Sequence, residues 1–398
     1  MNPANTGELN PRTLTIRKFF RDKAAVAGLV FIVLLCALAI LAPFLVNGRP
    51  WLTNMNGVWE SPAFRDFIAP DCQEALVERL FNYLFPAFLF GGLYCFFTKR
   101  WKNRWRNWGL AALLLLLALP FLFSRSVMNK SDYRMLAEEG AERGCVTIFA
   151  PVPYGPFETS SEIYGKPSAR HWFGTDQVGR DVFARMVYGA RVSLAVGFLA
   201  TAISLFLGTV IGLFSGYKGG RIDMIVQRLV EIVICFPTFL LLLILMALML
   251  DYGSRQSILL VIAVLGFTGW PGLCRLVRGE VLKQRQMAYI QSCESIGLPT
   301  WRILLFHLLP NAAGPIFVSC AFDVAGAILA ENSLSFLGFG VQDPSASWGE
   351  LLREAFADPL TYWNLMLWPG LAIFLTVTSF NFAADGIRKA IDAKGSGD

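Results

Sequence analysis

Residues 291–311 read QSCESIGLPTWRILLFHLLPN, between two long apolar runs at 257–275 and 312–336. The first half is too polar to enter hydrocarbon, and the whole is too regular for slack chain. From Gln284 to Ile296 the pattern predicts one short helix with Met287, Ile290, Cys293 and Ile296 on a shared side. Gly297 followed by Pro299 stops it, because glycine accepts the left-handed cap and proline cannot continue the ladder. A second helical run, Trp301 to Leu309, ends at Pro310-Asn311 and leads into the next apolar run. The prediction is a helix, a tight turn and a helix. Such an element docks a soluble partner or lies flat on headgroups.

The flanking composition is that of a membrane protein. The 398 residues are 55% hydrophobic and 16% charged, against roughly 45–50% and about 25% in soluble domains. The net charge of +6 falls in short clusters between apolar runs. Membrane topology predicts that placement, whereas a nucleic-acid binder concentrates its charge on one face. Eight cysteines form no CxxC pair and there are two histidines, so no metal set is expected. The run Ala25 to Val46 is longer than the roughly 7–15 residues of a signal-peptide core and reads as a retained span.

A helix needs about 20 apolar residues to cross the bilayer. Spans are expected at 25–46, 191–216, 229–250, 257–275, 312–336 and 364–385, with two shorter ones at 81–98 and 109–124. Basic residues set the orientation. They lie in the tail 1–24 (Arg12, Arg17, Lys18, Arg21, Lys23) and in the loop 99–108 (Lys99, Arg100, Lys102, Arg104, Arg106, with Trp101, Trp105 and Trp108). Others are Lys218, Arg221, Arg228, Arg275, Arg278, Lys283, Arg285, Arg302, Arg388 and Lys389. Eight spans with both termini in the cytoplasm put every cluster inside. The segments 47–80 and 125–190 are then exterior, 276–311 is a cytoplasmic loop and 393–398 a tail. Each exterior segment holds one cysteine, Cys72 and Cys145, which an oxidising exterior allows to pair. The alternative is two buried free thiols.

No nucleotide or catalytic site is expected. GLFSGYKGG (Gly212 to Gly220) and GTDQVGRD (Gly174 to Asp181) both lack the glycine, Lys and Ser/Thr order that cradles phosphates. No nucleophilic triad or carboxylate pair stands out. Within the spans, Asp323, Glu331 and Glu231 are costly in hydrocarbon and should face the bundle interior or water. Asp323 and Glu331, with Asn332 beside it, are candidates for a solute pathway or for polar contacts to a partner. Glu231 can instead pair with Arg228. Pro237 and Pro369 can kink their spans. Gly208, Gly212 and Gly216 recur every four residues as a close-packing stripe.

Gln291 to Pro310 resembles the EAA loop of binding-protein-dependent ABC transporter permeases. Gly297, Leu309 and Pro310 match that pattern in register, while Gln291, Ser292 and Cys293 replace its Glu-Ala-Ala. WFGTDQVGRDVFARMVYGARVSL (172–194), GYKGGRIDMIVQRLVEIVICFP (216–237) and LVRGEVL (276–282) resemble segments of the dipeptide and oligopeptide permease group. So do ILAENSLSFLGFGVQDPSASWGELL (328–352) and PGLAIFLTVTSFNFAADGIRKAID (369–392). The resemblance covers roughly 170–392 plus the first span, and is nearest to the second permease of peptide importers, including the microcin-C-type branch.

It implies an all-α, six-helix permease core, ending in 191–392, with an extra apolar hairpin and exterior loop after the first span. It also implies a heterodimer with a second permease, two cytoplasmic ATPases that bind ATP and Mg, and an exterior solute-binding protein. This chain would then hold no cofactor and do no covalent chemistry. The loop 284–310 would seat in an ATPase cleft through Gln291, Ser292, Cys293, Glu294, Ser295 and Gly297, with Leu309 and Pro310 closing the joint. Glu294 stands where it can replace the missing glutamate. Family members move dipeptides, longer peptides, peptide antibiotics and nickel, so the solute stays open. The departure is 47–169, which is longer than the family pattern and reads as an exterior cap or a binding-protein contact. A secondary transporter is the rival of another kind, and would show an internal repeat with broken helices in both halves.

Overall fold

The computed structural model describes residues 11–55, 58–70, 75–99, 103–124, 133, 146–251 and 257–392. Cys72, Cys145, Arg100, Trp101 and Lys102 lie outside the described residues.

The chain is nearly all-helical. An N-terminal helix α1 (Pro11–Arg21) leads into α2 (Lys23–Leu45), whose first turn is capped by Asp22. Three short strands follow in part: β1 (Leu52–Met55), β2 (Val58–Glu60) and, much later, β3 (Val146–Ile148). They pair antiparallel in the order β2-β1-β3. Between them lie α3 (Pro62–Ile68), α4 (Ala75–Phe97) and α5 (Asn103–Phe123). The rest is α6 (Val182–Lys218), α7 (Gly220–Cys235), α8 (Thr238–Asp251), α9 (Ser257–Arg285) and α10 (Ala288–Ser295), then α11 (Thr300–Arg302), α12 (Leu309–Phe336), α13 (Trp348–Ala355) and α14 (Trp363–Asp392). Among the described residues, seven helices are long and apolar enough to cross a membrane, or eight if the bent pair α7–α8 counts as one span.

Several boundaries differ from those expected, each for a physical reason. The span expected at 191–216 is the middle of α6, which starts at Val182 because Asp181 caps it by accepting from the Ala184 amide at 2.7 Å. The segment 125–190 is therefore helical in its last nine residues. The span expected at 229–250 is broken: α7 and α8 meet at a 70° bend. Pro237 sits in that break, where it has no amide to give the ladder. Helix α4 begins six residues before 81, since its polar Glu78 and Asn82 are buried against Arg191 of α6. The loop expected at 276–311 is mostly helix, because α9 runs on to Arg285.

The core lies where α2, α4, α6, α8, α9, α12 and α14 meet, around Leu35, Phe81, Leu194, Met246, Ile258, Ile328 and Phe380. The glycine stripe of α6 seats on α9. A Cβ at Gly208 would stand 2.6 Å from Leu273 Cβ, and one at Gly212 would stand 2.7 Å from the Cys274 carbonyl. The two backbones thus approach as closely as small-xxx-small packing permits. Helix α5 packs on α4 and leaves Leu115, Leu116, Leu122 and Phe123 facing outward.

Candidate functional site

Helix α10 is built as a short rigid bar. Its C-terminus closes in a full Schellman arrangement, with Leu298 N–H donating to Cys293 O at 3.1 Å and Gly297 N–H to Glu294 O at 2.9 Å. Gly297 adopts φ +77, which the turn requires and a side chain would oppose. Pro299 then starts α11.

The run from Thr300 to Phe336 is continuous, so the second helix does not end at Pro310. Residues Ile303–Leu308 form a π-helical segment, with Leu309 N–H reaching Leu304 O. The widened turn leaves room for the Pro310 ring, which carries no amide and lies in the first turn of α12.

One side chain of α10 is fully buried: Ile290. It sits among Leu213 of α6, Val277 and Val281 of α9, Ile303, Leu308, Ala312 and Ile316, with Cys293 half-buried beside it. A hydrogen-bonded chain braces the same joint. Tyr289 Oη donates to Gln284 Oε1 at 2.9 Å and accepts from Asn311 Nδ2 at 3.2 Å. Gln291, Ser292, Glu294, Ser295, Gly297 and Pro310 are exposed, and Leu309 is half-buried. Ser292 and Ser295 donate back to the Ala288 and Gln291 carbonyls, both at 2.9 Å. Glu294 faces the Tyr217 phenol at the end of α6, over which Arg285 is stacked.

The expected apolar stripe is corrected. Met287 and Ile296 are exposed, Ile296 at 78%. The helix starts only at Ala288 and Ile296 is its cap, so both fall off the shared side. Ile296 becomes an apolar knob on the outward rim.

The acidic candidates separate. Glu331 is fully buried and accepts from Ser193 at 3.1 Å and from Ser335 and Ser347 at 2.9 Å. Asn332 donates to Ser193 and to the Ile328 carbonyl. These groups join α6, α12 and the start of α13. Asp323 is half-exposed near Ser319, which lines an open cleft of about 340 Å³ with Leu276, Pro315, Val318, Phe322, Arg388 and Ile391. Glu231 pairs with Arg228 at 2.7 Å on an exposed face.

Sequence reasoning missed a buried ionic cluster at the end of the bundle opposite α10. Arg180 Nε donates to Asp176 at 2.6 Å and its other nitrogens meet Asp343 and, at 3.5 Å, Glu354. Arg185 donates to Glu350 at 2.5 Å. Two guanidinium groups face four carboxylates. Burial pushes Glu350 and Glu354 up to about 7, and Asp176 adds repulsion at Glu354. The available signal was Glu350 and Glu354 four apart on one face of an eight-residue helix.

These observations define a polytopic helical membrane protein whose bundle carries a short braced helix at one end. The chain belongs to the family of binding-protein-dependent transport system inner membrane components, whose profile matches residues 208–396. A second profile, the N-terminal TM domain of oligopeptide transport permease C, matches residues 10–57. The dipeptide transport system permease protein DppC of Bacillus subtilis is 43% identical over 256 residues, covering 62% of this chain and 78% of that protein. The oligopeptide transport system permease protein OppC of Haemophilus influenzae is 40% identical, covering 56% and 70%. The glutathione transport system permease protein GsiD of Pectobacterium atrosepticum is 39% identical, covering 57% and 74%. The two profiles leave 58–207 between them, the interval holding the α4–α5 hairpin and β3.

Proposed function

We propose that this chain is a permease subunit of an ATP-driven importer of peptides or peptide-like solutes, coupled to cytoplasmic ATPases through α10. The observation that carries the coupling is the division of α10: Ile290 is locked into the bundle while Gln291, Ser292, Glu294, Ser295, Ile296 and Gly297 face out. A partner that pushes the outward rim would move α6, α9 and α12 together, because Ile290 belongs to the one apolar cluster that all three share. The peptide class rests on the names of the relatives. Nickel or another small solute is the alternative within the same class.

The basic residues of the N-terminal tail, the ends of α6 and α9, and the C-terminal helix gather at the α10 end, which supports placing both termini in the cytoplasm. The complex would comprise a second permease, two ATPases holding ATP and Mg, and an exterior binding protein. Asp323, beside an open cleft, is the first pathway candidate; Glu331 and Asn332, which also brace helices, are the others. The disulfide between Cys72 and Cys145 stays a proposal, checked by mapping thiols in the non-reduced protein.

Reconstitution with partner ATPases and binding protein tests the reading. ATP-dependent peptide uptake that falls when Gly297 is replaced by Val supports it. Uptake that persists without ATPases and follows an ion gradient would make the chain a secondary transporter.

A further inference from the structure

Helices α1 and α14 meet at the α10 end and leave an open cleft of about 300 Å³ between them, lined by Lys18, Arg21, Asp22, Gly386, Lys389 and Ala390. Its lining carries three cations and one carboxylate. Lys389 Nζ donates to Asp22 Oδ2 at 2.8 Å, and Asp22 also accepts from the Ala24 and Ala25 amides. The cleft is fixed by close packing rather than by its lysines. A Cβ at Gly386 would stand 2.2 Å from Ala25 Cβ and 3.1 Å from the Phe19 ring.

Depth in the bilayer follows from the sequence of α2, which turns apolar directly after Lys23. The cleft therefore lies where hydrocarbon gives way to headgroups. Helix α1 has the matching make-up. Ile16 and Phe20, one turn apart, are both more than half exposed, while Arg17, Lys18 and Arg21 hold the other side. A helix of that kind lies in the interface plane.

We propose that this cleft binds the phosphate headgroup of an anionic phospholipid, with Lys18, Arg21 and Lys389 as its ligands. Basic pockets between membrane helices at headgroup depth recognise such groups, and a cleft of this size admits a phosphate with its glycerol. The bound lipid would fasten α1 to α14 and so join the two ends of the chain at the membrane surface.

The test uses the full chain in nanodiscs of phosphatidylcholine and phosphatidylglycerol in equal amounts, with native mass spectrometry counting the lipids retained. Wild type should retain phosphatidylglycerol with roughly tenfold enrichment. The combined Lys18→Gln, Arg21→Gln, Lys389→Gln variant should lose that enrichment. Asp22→Asn, which keeps a capping side chain and removes the carboxylate, should increase it, a gain that misfolding cannot produce. Excess inorganic phosphate should not displace the lipid. Equal retention of both lipids by wild type, unchanged enrichment in the triple variant, or no gain in Asp22→Asn would overturn the proposal. Displacement by inorganic phosphate would overturn it in favour of a soluble anion.

Discussion

Ile290 and Ile296 lie six residues apart on one short helix and do opposite things. Ile290 fills a closed apolar socket, so Ile290→Ala should cost about 2–5 kcal/mol and lower the melting temperature of the purified protein. Ile296 is exposed and touches no core, so Ile296→Asp should leave melting unchanged while ATPase co-purification falls. Glu354 gives a pH prediction. Its carboxyl is raised from 4.5 to about 7 by burial and by Asp176. The folded state therefore holds this proton more tightly than the unfolded chain. The contribution to stability is full below about pH 4.5 and is lost as pH rises through about 7. Melting temperature should decline across that window, and Glu354→Gln should flatten the decline; an unchanged slope in the variant would remove Glu354 as its source. Gln291, Ser292, Glu294 and Ser295 were legible through the loop's resemblance to the permease pattern, and all four are exposed. The exposure of Ile296 was not legible, because a spacing of three residues drifts against the 3.6-residue turn and carries it about 120° from Ile290.

At the scale of elements, the sequence announced the apolar centres of spans better than their ends. Helices continue past the hydrocarbon whenever a cap or an ion pair holds the polar turns, as Asp181 does for α6 and Arg191 does for α4. The 70° break at Pro237 was half legible: proline marked a kink, but hydropathy averaged across it and returned one span. The joint between α7 and α9 rests on Arg278, whose Nε and Nη2 donate to Asp223 at 2.5 and 2.6 Å, with Ser215 of α6 on the same carboxylate. Asp223→Asn keeps the volume and loses the charge. It should cost about 1.5–3 kcal/mol and loosen α7 from α9, read as faster deuterium exchange across 220–235.

At the scale of the molecule, a buried cation helps tie the α4–α5 hairpin to the core, beside the apolar contacts of Val77 and Phe81. Arg191 meets Glu78 and Asn82 of α4, donates to the Ala39 carbonyl of α2 at 2.7 Å, and stacks against Phe81 and Tyr188. Glu78→Gln leaves that guanidinium without its counter-charge and should destabilise by about 3–5 kcal/mol. Combining Glu78→Leu with Arg191→Met should recover much of the loss in melting temperature, which a hairpin unconnected to Arg191 would not do. The hairpin itself was visible as two apolar runs around a basic loop. Its anchoring was invisible, since Glu78 and Arg191 are separated by more than a hundred residues and neither is unusual locally. The small sheet was missed for a related reason: strands of three or four residues carry too little alternation to register.

The π-helical turn at Ile303–Leu308 holds one residue more than an α-helical turn would. It is thus a measured piece of slack between the docking bar and the long helix behind it. Rewinding that turn as regular α-helix with every residue kept would swing everything before it by about 100° around the axis of α12. Ile290 would then point away from its socket. The length of that turn, rather than any side chain in it, sets the angle at which the outward rim is presented.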